Sequence, residues 1–209
     1  MSIFKSKKNE NNNGFNRNDP KKMLGPETPF VIKESYNTIR TNLMFTQKGE
    51  KCPVFVVTSP DANNGKTINT VNLAINFAQV GKRTLIIDSD MRNPTIHRMF
   101  SIPVKNGLSE ILAGLTDNIT VSKTEIENLS VLSSGKIPPN PAELLASPRM
   151  DKLLTFVKGH YDCVFIDTPP INLVTDATAF APKATGYVVI VKAGNTDVPE
   201  VRAAVVLLK

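Results

Sequence analysis

Short, mostly apolar runs recurring between amphipathic stretches constrain this chain more than any other feature. Val54-Phe55-Val56-Val57-Thr58, Thr84-Leu85-Ile86-Ile87-Asp88, Leu129-Ser130-Val131-Leu132, Cys163-Val164-Phe165-Ile166-Asp167 and residues 186–191 each read as a strand. These runs lack the strict polar–apolar alternation of a half-exposed strand, so both faces of the sheet they form are covered. The cover is helical. Ile68, Val71, Leu73, Ile75, Phe77 and Val80 fall on a helix that stops at Gly81, and another helix is predicted over 142–158. Ahead of the first strand, order begins near Thr28-Pro29, and Phe30, Val31, Ile32, Tyr36, Ile39, Leu43 and Met44 approximate helical spacing, with the helix predicted over 34–45. The pattern predicts an α/β fold, a doubly wound and mainly parallel sheet with helices on both faces. A chain of 209 residues with 41% hydrophobic content suits one such domain, running over 29–209.

The remaining composition narrows the function classes. Residues 1–28 are Asn-rich, carry Pro20, Gly25 and Pro26, and have little to bury, which predicts a flexible arm. Lys5, Lys7, Lys8, Arg17, Lys21 and Lys22 outnumber Glu10, Asp19 and Glu27 there, so the arm is mildly basic. Such a tail suits a solvated end, or an anionic membrane surface or acidic partner. A formal charge of +6 gives no reason to expect nucleic acid. Cys52 and Cys163 are lone thiols beside apolar runs and read as small buried residues. His97 and His160 lack a partner pattern and read as structural. No apolar stretch approaches the ~18 to 20 residues of a membrane span, and the N-terminus lacks a signal peptide's apolar centre. A soluble protein is expected. The chain stops inside an apolar-striped helical segment, 199–209, with no stop signal, which predicts a shortened C-terminal part.

Chemistry in a doubly wound sheet gathers at the carboxyl ends of its strands. The first run is followed by Ser59-Pro60-Asp61-Ala62-Asn63-Asn64-Gly65-Lys66-Thr67 and then by a helix, the setting of a phosphate-binding loop. Helix N-terminal amides face the phosphates there, Gly65 permits close backbone approach, and Lys66 neutralises β/γ charge. Thr67 offers its hydroxyl to Mg²⁺. The second run ends in Asp88-Ser89-Asp90-Met91-Arg92. In an extended segment residues i and i+2 point the same way, so Asp88 and Asp90 converge on one metal or one reacting group. The fourth run delivers Asp167 ahead of Thr168-Pro169-Pro170, the form of a Walker B aspartate.

Together these motifs resemble those of the bacterial tyrosine kinases of capsular and exopolysaccharide biosynthesis. That family carries a Walker A loop SxxPGEGKS/T, a Walker A′ motif hhhDxDxR and a Walker B motif hhhDxxP, matched here at 59–67, 85–92 and 164–169. Gly107-Leu108-Ser109 with Ile111-Leu112, and 135–141 with Glu143-Leu144-Leu145, match less specifically, and the similarity spans about 28–209. One departure is plain: Ala62-Asn63-Asn64 stands for Pro-Gly-Glu, and asparagine accommodates left-handed backbone better than most residues.

The resemblance implies a P-loop NTPase-type kinase domain over 29–209 that transfers the γ-phosphate of ATP to tyrosine hydroxyls. It implies ATP binding by Asn63, Asn64, Gly65, Lys66, Thr67 and Ile68, with Lys66 and Asp88 catalytic and Asp88 the general base or base-like positioning group. Thr67, Asp90 and Asp167 would hold Mg²⁺. It also implies a transmembrane polysaccharide co-polymerase or adaptor as activator, protein tyrosine substrates, and a cytoplasmic location at the inner membrane face through that partner. The family's ExxRxxR assembly motif is matched by Glu34 and Arg40, with Asn37 replacing the middle arginine, so a homo-oligomer is expected. Tyr36, Tyr161 and Tyr187 form no cluster, which predicts little autophosphorylation. A Min/Par-like ATPase switch carries an extra lysine where this chain has Asp61, and no G-x-G-x-x-G marks an NAD-binding domain. A nucleotide-binding scaffold without kinase activity is the other alternative, although every catalytic position is present.

Overall fold

The computed structural model describes residues 22–47 and 49–208. Its elements in chain order are α1 (Phe30–Thr46), β1 (Val54–Thr58), α2 (Lys66–Ala78), β2 (Thr84–Asp88), α3 (Ile96–Met99) and α4 (Leu108–Leu112). There follow β3 (Ser122–Lys123), β4 (Leu129–Leu132), α5 (Pro141–Leu145), α6 (Pro148–Lys158) and β5 (Cys163–Asp167). A 3₁₀ helix (Thr175–Phe180), β6 (Gly186–Val189) and α7 (Val198–Leu207) complete the set. The strands form one sheet in the order β3-β4-β2-β5-β1-β6. Every pairing is parallel except β3 with β4.

Alternation along the central strands feeds two cores. Phe55, Ile86 and Phe165 face α2, where Phe77 meets Phe165 edge-on at 5.2 Å between centroids. Val56, Leu85, Ile87, Val164 and Ile166 face the other way onto Leu112, Leu145, Met150 and Leu154 of α4, α5 and α6. Full burial of each such side chain contributes about 1.5–3 kcal/mol, so a sheet loaded on both faces needs helices on both. Cys52 and Cys163 are buried free thiols. No helix among the described residues is long and apolar enough to cross a membrane.

The structure differs from the sequence reading in several places. The helix predicted over 142–158 is two helices, because Pro148 lacks an amide donor and pushes Ser147 to extended backbone (φ −72°, ψ 154°). α1 begins at Phe30, directly after Pro29, rather than at residue 34. The last strand ends at Val189, short of residue 191. β3, an antiparallel edge strand of two polar residues, carries no apolar signal at all. Of the arm expected over 1–28, residues 1–21 lie outside the described residues. Within the rest, Leu24 is buried and its N–H donates to Asn72 Oδ1 on α2 at 2.8 Å.

Register decides where the chemistry falls. β2 and β5 align so that Asp88 pairs directly with Asp167, and β1 lays Val57 against Asp167 from the other side. Three adjacent strands therefore deliver their carboxyl ends to one place.

Candidate active site

Between β1 and α2 the chain must reverse within the loop 59–65, and it does so with two left-handed residues, Asn63 (φ 68°) and Gly65 (φ 82°). Asparagine is among the few side chains that tolerate this conformation, so the loop keeps its turn without the family's glycine. No side chain caps the N-terminus of α2, which leaves its first amides for an anion. Those amides open onto a cavity of about 630 Å³, within the usual size of a small-molecule site. Asn63, Asn64, Gly65, Lys66, Thr67 and Ile68 all line it, and Asp90 joins them from the end of β2. Pro169, Pro170, Leu173 and Val174 form an apolar wall.

Lys66 is the hub of the charged layer. Its Nζ donates to Asp167 Oδ2 at 2.8 Å and stands 3.6 Å from Asp90 Oδ2, with only 8% of the side chain exposed. Asp167 is fully engaged: Thr67 Oγ1 donates to Oδ2 and Thr70 Oγ1 to Oδ1, each at 2.8 Å. Asp88 is wholly buried; its Oδ2 accepts from Ile96 N at 3.2 Å, while Oδ1 is buried without a partner. Asp88 and Asp167 do not reach the cavity wall and lie behind Lys66.

One ammonium cannot neutralise three carboxylates, and the proton affinities follow. Burial, then the Asp167 charge, pushes the Asp88 carboxyl up to about 8, against a smaller opposing pull from Lys66. Burial also raises Asp90, although Lys66 draws it down. For Lys66 burial works against the charge, but Asp167 and Asp90 together outweigh it and hold the ammonium above its ordinary value.

Excess buried carboxylate with an orphaned oxygen is what a divalent cation relieves. Among the described residues no three His, Cys, Asp or Glu side chains form a ready-made cage. Magnesium does not ask for one, since it takes one or two carboxylates and fills its shell with water and substrate phosphate. Thr67 and Asp90 line the cavity beside Lys66, Asp167 stands directly behind them with Oδ2 bonded to Lys66 and Thr67, and the three fit that requirement in donor type.

The structure brings the three motifs together. Within the chain, Arg40 Nη1 donates to Asn76 Oδ1 (2.6 Å) and Asn76 O (3.2 Å) on α2. It also donates to Asn37 Oδ1 at 3.2 Å, while Asn37 Nδ2 donates to Glu34 Oε1 at 2.7 Å. Asn37 thus bridges the two residues that six-residue spacing alone separates, and only Glu34 is exposed. Thr70 was missed by the motif reading, yet it lies one helical turn after Lys66 and so shares its face. Lys22 and Lys192 also line the cavity, brought in from segments that no motif marks. Thr196 Oγ1 donates to Asn64 Oδ1 at 3.0 Å, pinning the segment after β6 to the loop.

Comparison with known proteins fits this geometry. A family model described as an AAA domain matches residues 58–195. The putative tyrosine-protein kinase CapB of Staphylococcus aureus is 40% identical over 179 residues, which is 85% of this chain and 78% of that protein. Tyrosine-protein kinase YwqD of Bacillus subtilis (strain 168) is 39% identical over 172 residues, 82% and 73% respectively. The crystal structure of the chimerical protein CapA2B2 superposes with a TM-score of 0.80 at 40% identity, covering 88% of this chain and 80% of that one. With that identity over most of both chains, and with the phosphate loop and paired aspartates on one sheet edge, the chain belongs to the bacterial P-loop tyrosine kinases of capsular and exopolysaccharide biosynthesis.

Proposed function

We propose that residues 29–209 form the kinase domain, that they bind Mg-ATP in the cavity above α2, and that they pass its γ-phosphate to tyrosine hydroxyls of other proteins. The observation that carries this is the pairing of Lys66 with Asp90 and Asp167 beneath one cavity, with Asp88 set beside Asp167 by the register of β2 and β5. The α2 amides and the backbone of 63–65 cradle the phosphates, and Lys66 leaves Asp167 to meet the β/γ charge. Thr67, Asp90 and Asp167 hold Mg²⁺, which supplies charge neutralisation to the transferring phosphoryl group. Asp88 takes the tyrosine proton once Lys66, which stands between it and the cavity, has moved to the phosphates. A base performs best when its pKa lies near the working pH, and a carboxyl at about 8 needs only a modest downward pull from an arriving cation. The phosphoryl group itself asks little beyond position and field, so this sparse equipment suffices.

A transmembrane polysaccharide co-polymerase or adaptor activates the chain and keeps it at the inner membrane face. The support is family membership together with the lack of a spanning helix among the described residues. Self-association is supported by α1, which has no buried residue and exposes Phe30, Val31 and Phe45. Lys66→Met tests the phosphate site. Mg-ATP turnover in the presence of the adaptor's cytoplasmic tail should fall at least about 100-fold. Turnover within twofold of the wild type would contradict the assignment.

A further inference from the structure

Arg92 closes the DxDxR segment, and the phosphotransfer chemistry above gives it no part. It lines the cavity two residues after Asp90, with 45% of its side chain exposed. The guanidinium is nonetheless fixed. Nε donates to Asp176 Oδ2 at 3.1 Å and Nη2 donates to Asp176 Oδ1 at 3.2 Å, a two-pronged fork. Asp176 belongs to the 3₁₀ helix after β5 and is 1% exposed. A carboxylate buried that deeply stays charged at little cost only against a partner charge. Its platform is firm, since Ala177 and Phe180 are fully buried and Tyr187 Oη donates to Ala177 O at 2.9 Å. The fork also ties together the loops that follow Asp88 and Asp167.

A guanidinium carries five N–H donors, and this fork occupies two. We propose that Asp176 is a positioning residue that fixes Arg92 at the cavity mouth, so that its other donors bind an anionic group of the reacting complex. The inference rests on the phosphotransfer reading. The anion is either the terminal phosphate of the nucleotide or an acidic side chain beside the acceptor tyrosine; a pre-set fork suits both. Holding the arginine in advance removes the rotamer cost of ordering it when the ligand arrives.

The test uses the full chain with Asp176→Asn, Arg92→Gln and the double variant. Titration calorimetry with Mg²⁺ measures the preference for a non-hydrolysable ATP analogue over ADP. Phosphotransfer with the adaptor tail present measures the preference for an acid-flanked over a neutral tyrosine peptide. Each single variant should lose about tenfold or more in one of these preferences, the scale of a charge-assisted contact. A loss in the first assigns the terminal phosphate, and a loss in the second assigns the acidic flank. The double variant should lose no more than Arg92→Gln alone, because Asp176 acts through Arg92. Should Asp176→Asn fail to fold, Asp176→Glu keeps the charge but displaces the fork, and it must show the same loss. Both preferences unchanged in the single variants, or losses that multiply in the double, would overturn the role of Asp176. A wild-type chain that binds neither nucleotide would overturn the phosphotransfer reading along with it.

Discussion

Asp88 is the residue whose environment departs furthest from an ordinary carboxylate, and its departure is measurable without any substrate. Its folded pKa, about 8, lies above the unfolded value of about 3.9, so folding takes up a proton between those limits. The stability this group contributes is complete below about pH 4 and is lost as pH rises toward 8. Asp88→Asn removes the proton uptake and the charge. We expect the nucleotide-free variant to be more stable than the wild type at pH 8, by about 1–3 kcal/mol. For a chain of this length that raises the melting temperature by about 2–4 °C per kcal/mol. At pH 4 the difference should nearly vanish. Calorimetric melts at the two pH values check this, and an equal or lower melting temperature for Asp88→Asn at pH 8 would contradict the buried excess of negative charge. The identity of these groups was legible because Asp88, Asp90 and Asp167 each end a strand run. Their coupling through Lys66 was not, because it depends on the β2–β5 register, which no spacing along the chain encodes.

Elements were readable in proportion to how much their own residues dictate. β1, β2, β4 and β5 run where the β-branched and aromatic stretches place them, since a strand buried on both faces leaves a continuous apolar record. β3 pairs through backbone alone with Ser122 and Lys123, so its sequence is silent. The split between α5 and α6 was written in Pro148 but hidden by apolar spacing that continues across it. α1 is the instructive case. Helical spacing identifies it, yet that spacing says nothing of how it docks. None of its residues is fully buried; half-buried Tyr36, Leu43 and Met44 pack against the core on the α2 side, and a row of α2 asparagines holds the rest, with Tyr36 Oη donating to Asn69 Oδ1 (2.8 Å) and Arg40 held by Asn76. Asn69 Nδ2 in turn donates to Gly65 O at 2.9 Å, so the seam runs into the phosphate loop. A helix held by polar contacts and a few half-buried side chains opens more cheaply than one with a buried face. Asn76→Ala should therefore speed amide hydrogen exchange across Phe30–Thr46 by about fivefold to tenfold, the cost of roughly one hydrogen bond, while α2 stays protected. Equal protection of α1 in variant and wild type would show that something other than this seam holds it.

At the scale of the whole molecule, the fold class and the location of the site were legible, because strand–loop–helix order fixes which sheet edge the loops share. The fate of the tyrosines required the structure. Tyr36 Oη is cradled by Asn69 and Asn72, and Tyr187 Oη is spent on Ala177 O. Burial raises both phenols above their ordinary value, which further lowers their reactivity as acceptors. Incubation with Mg-ATP and the adaptor tail should leave Tyr36 and Tyr187 essentially unmodified by mass spectrometry, while an added tyrosine substrate is labelled. Abundant phosphate on either residue would contradict this packing.

The central claim is that three strand ends assemble a site which moves phosphate onto tyrosine with Asp88 receiving the proton. It is tested most directly by transfer of radiolabelled γ-phosphate to an acceptor protein, comparing wild type with Asp88→Asn at matched, saturating Mg-ATP and with the adaptor tail present. The account predicts phosphotyrosine from the wild type, unchanged nucleotide binding by Asp88→Asn, and a fall in transfer of about 100-fold or more. Transfer by Asp88→Asn at the wild-type rate would contradict it.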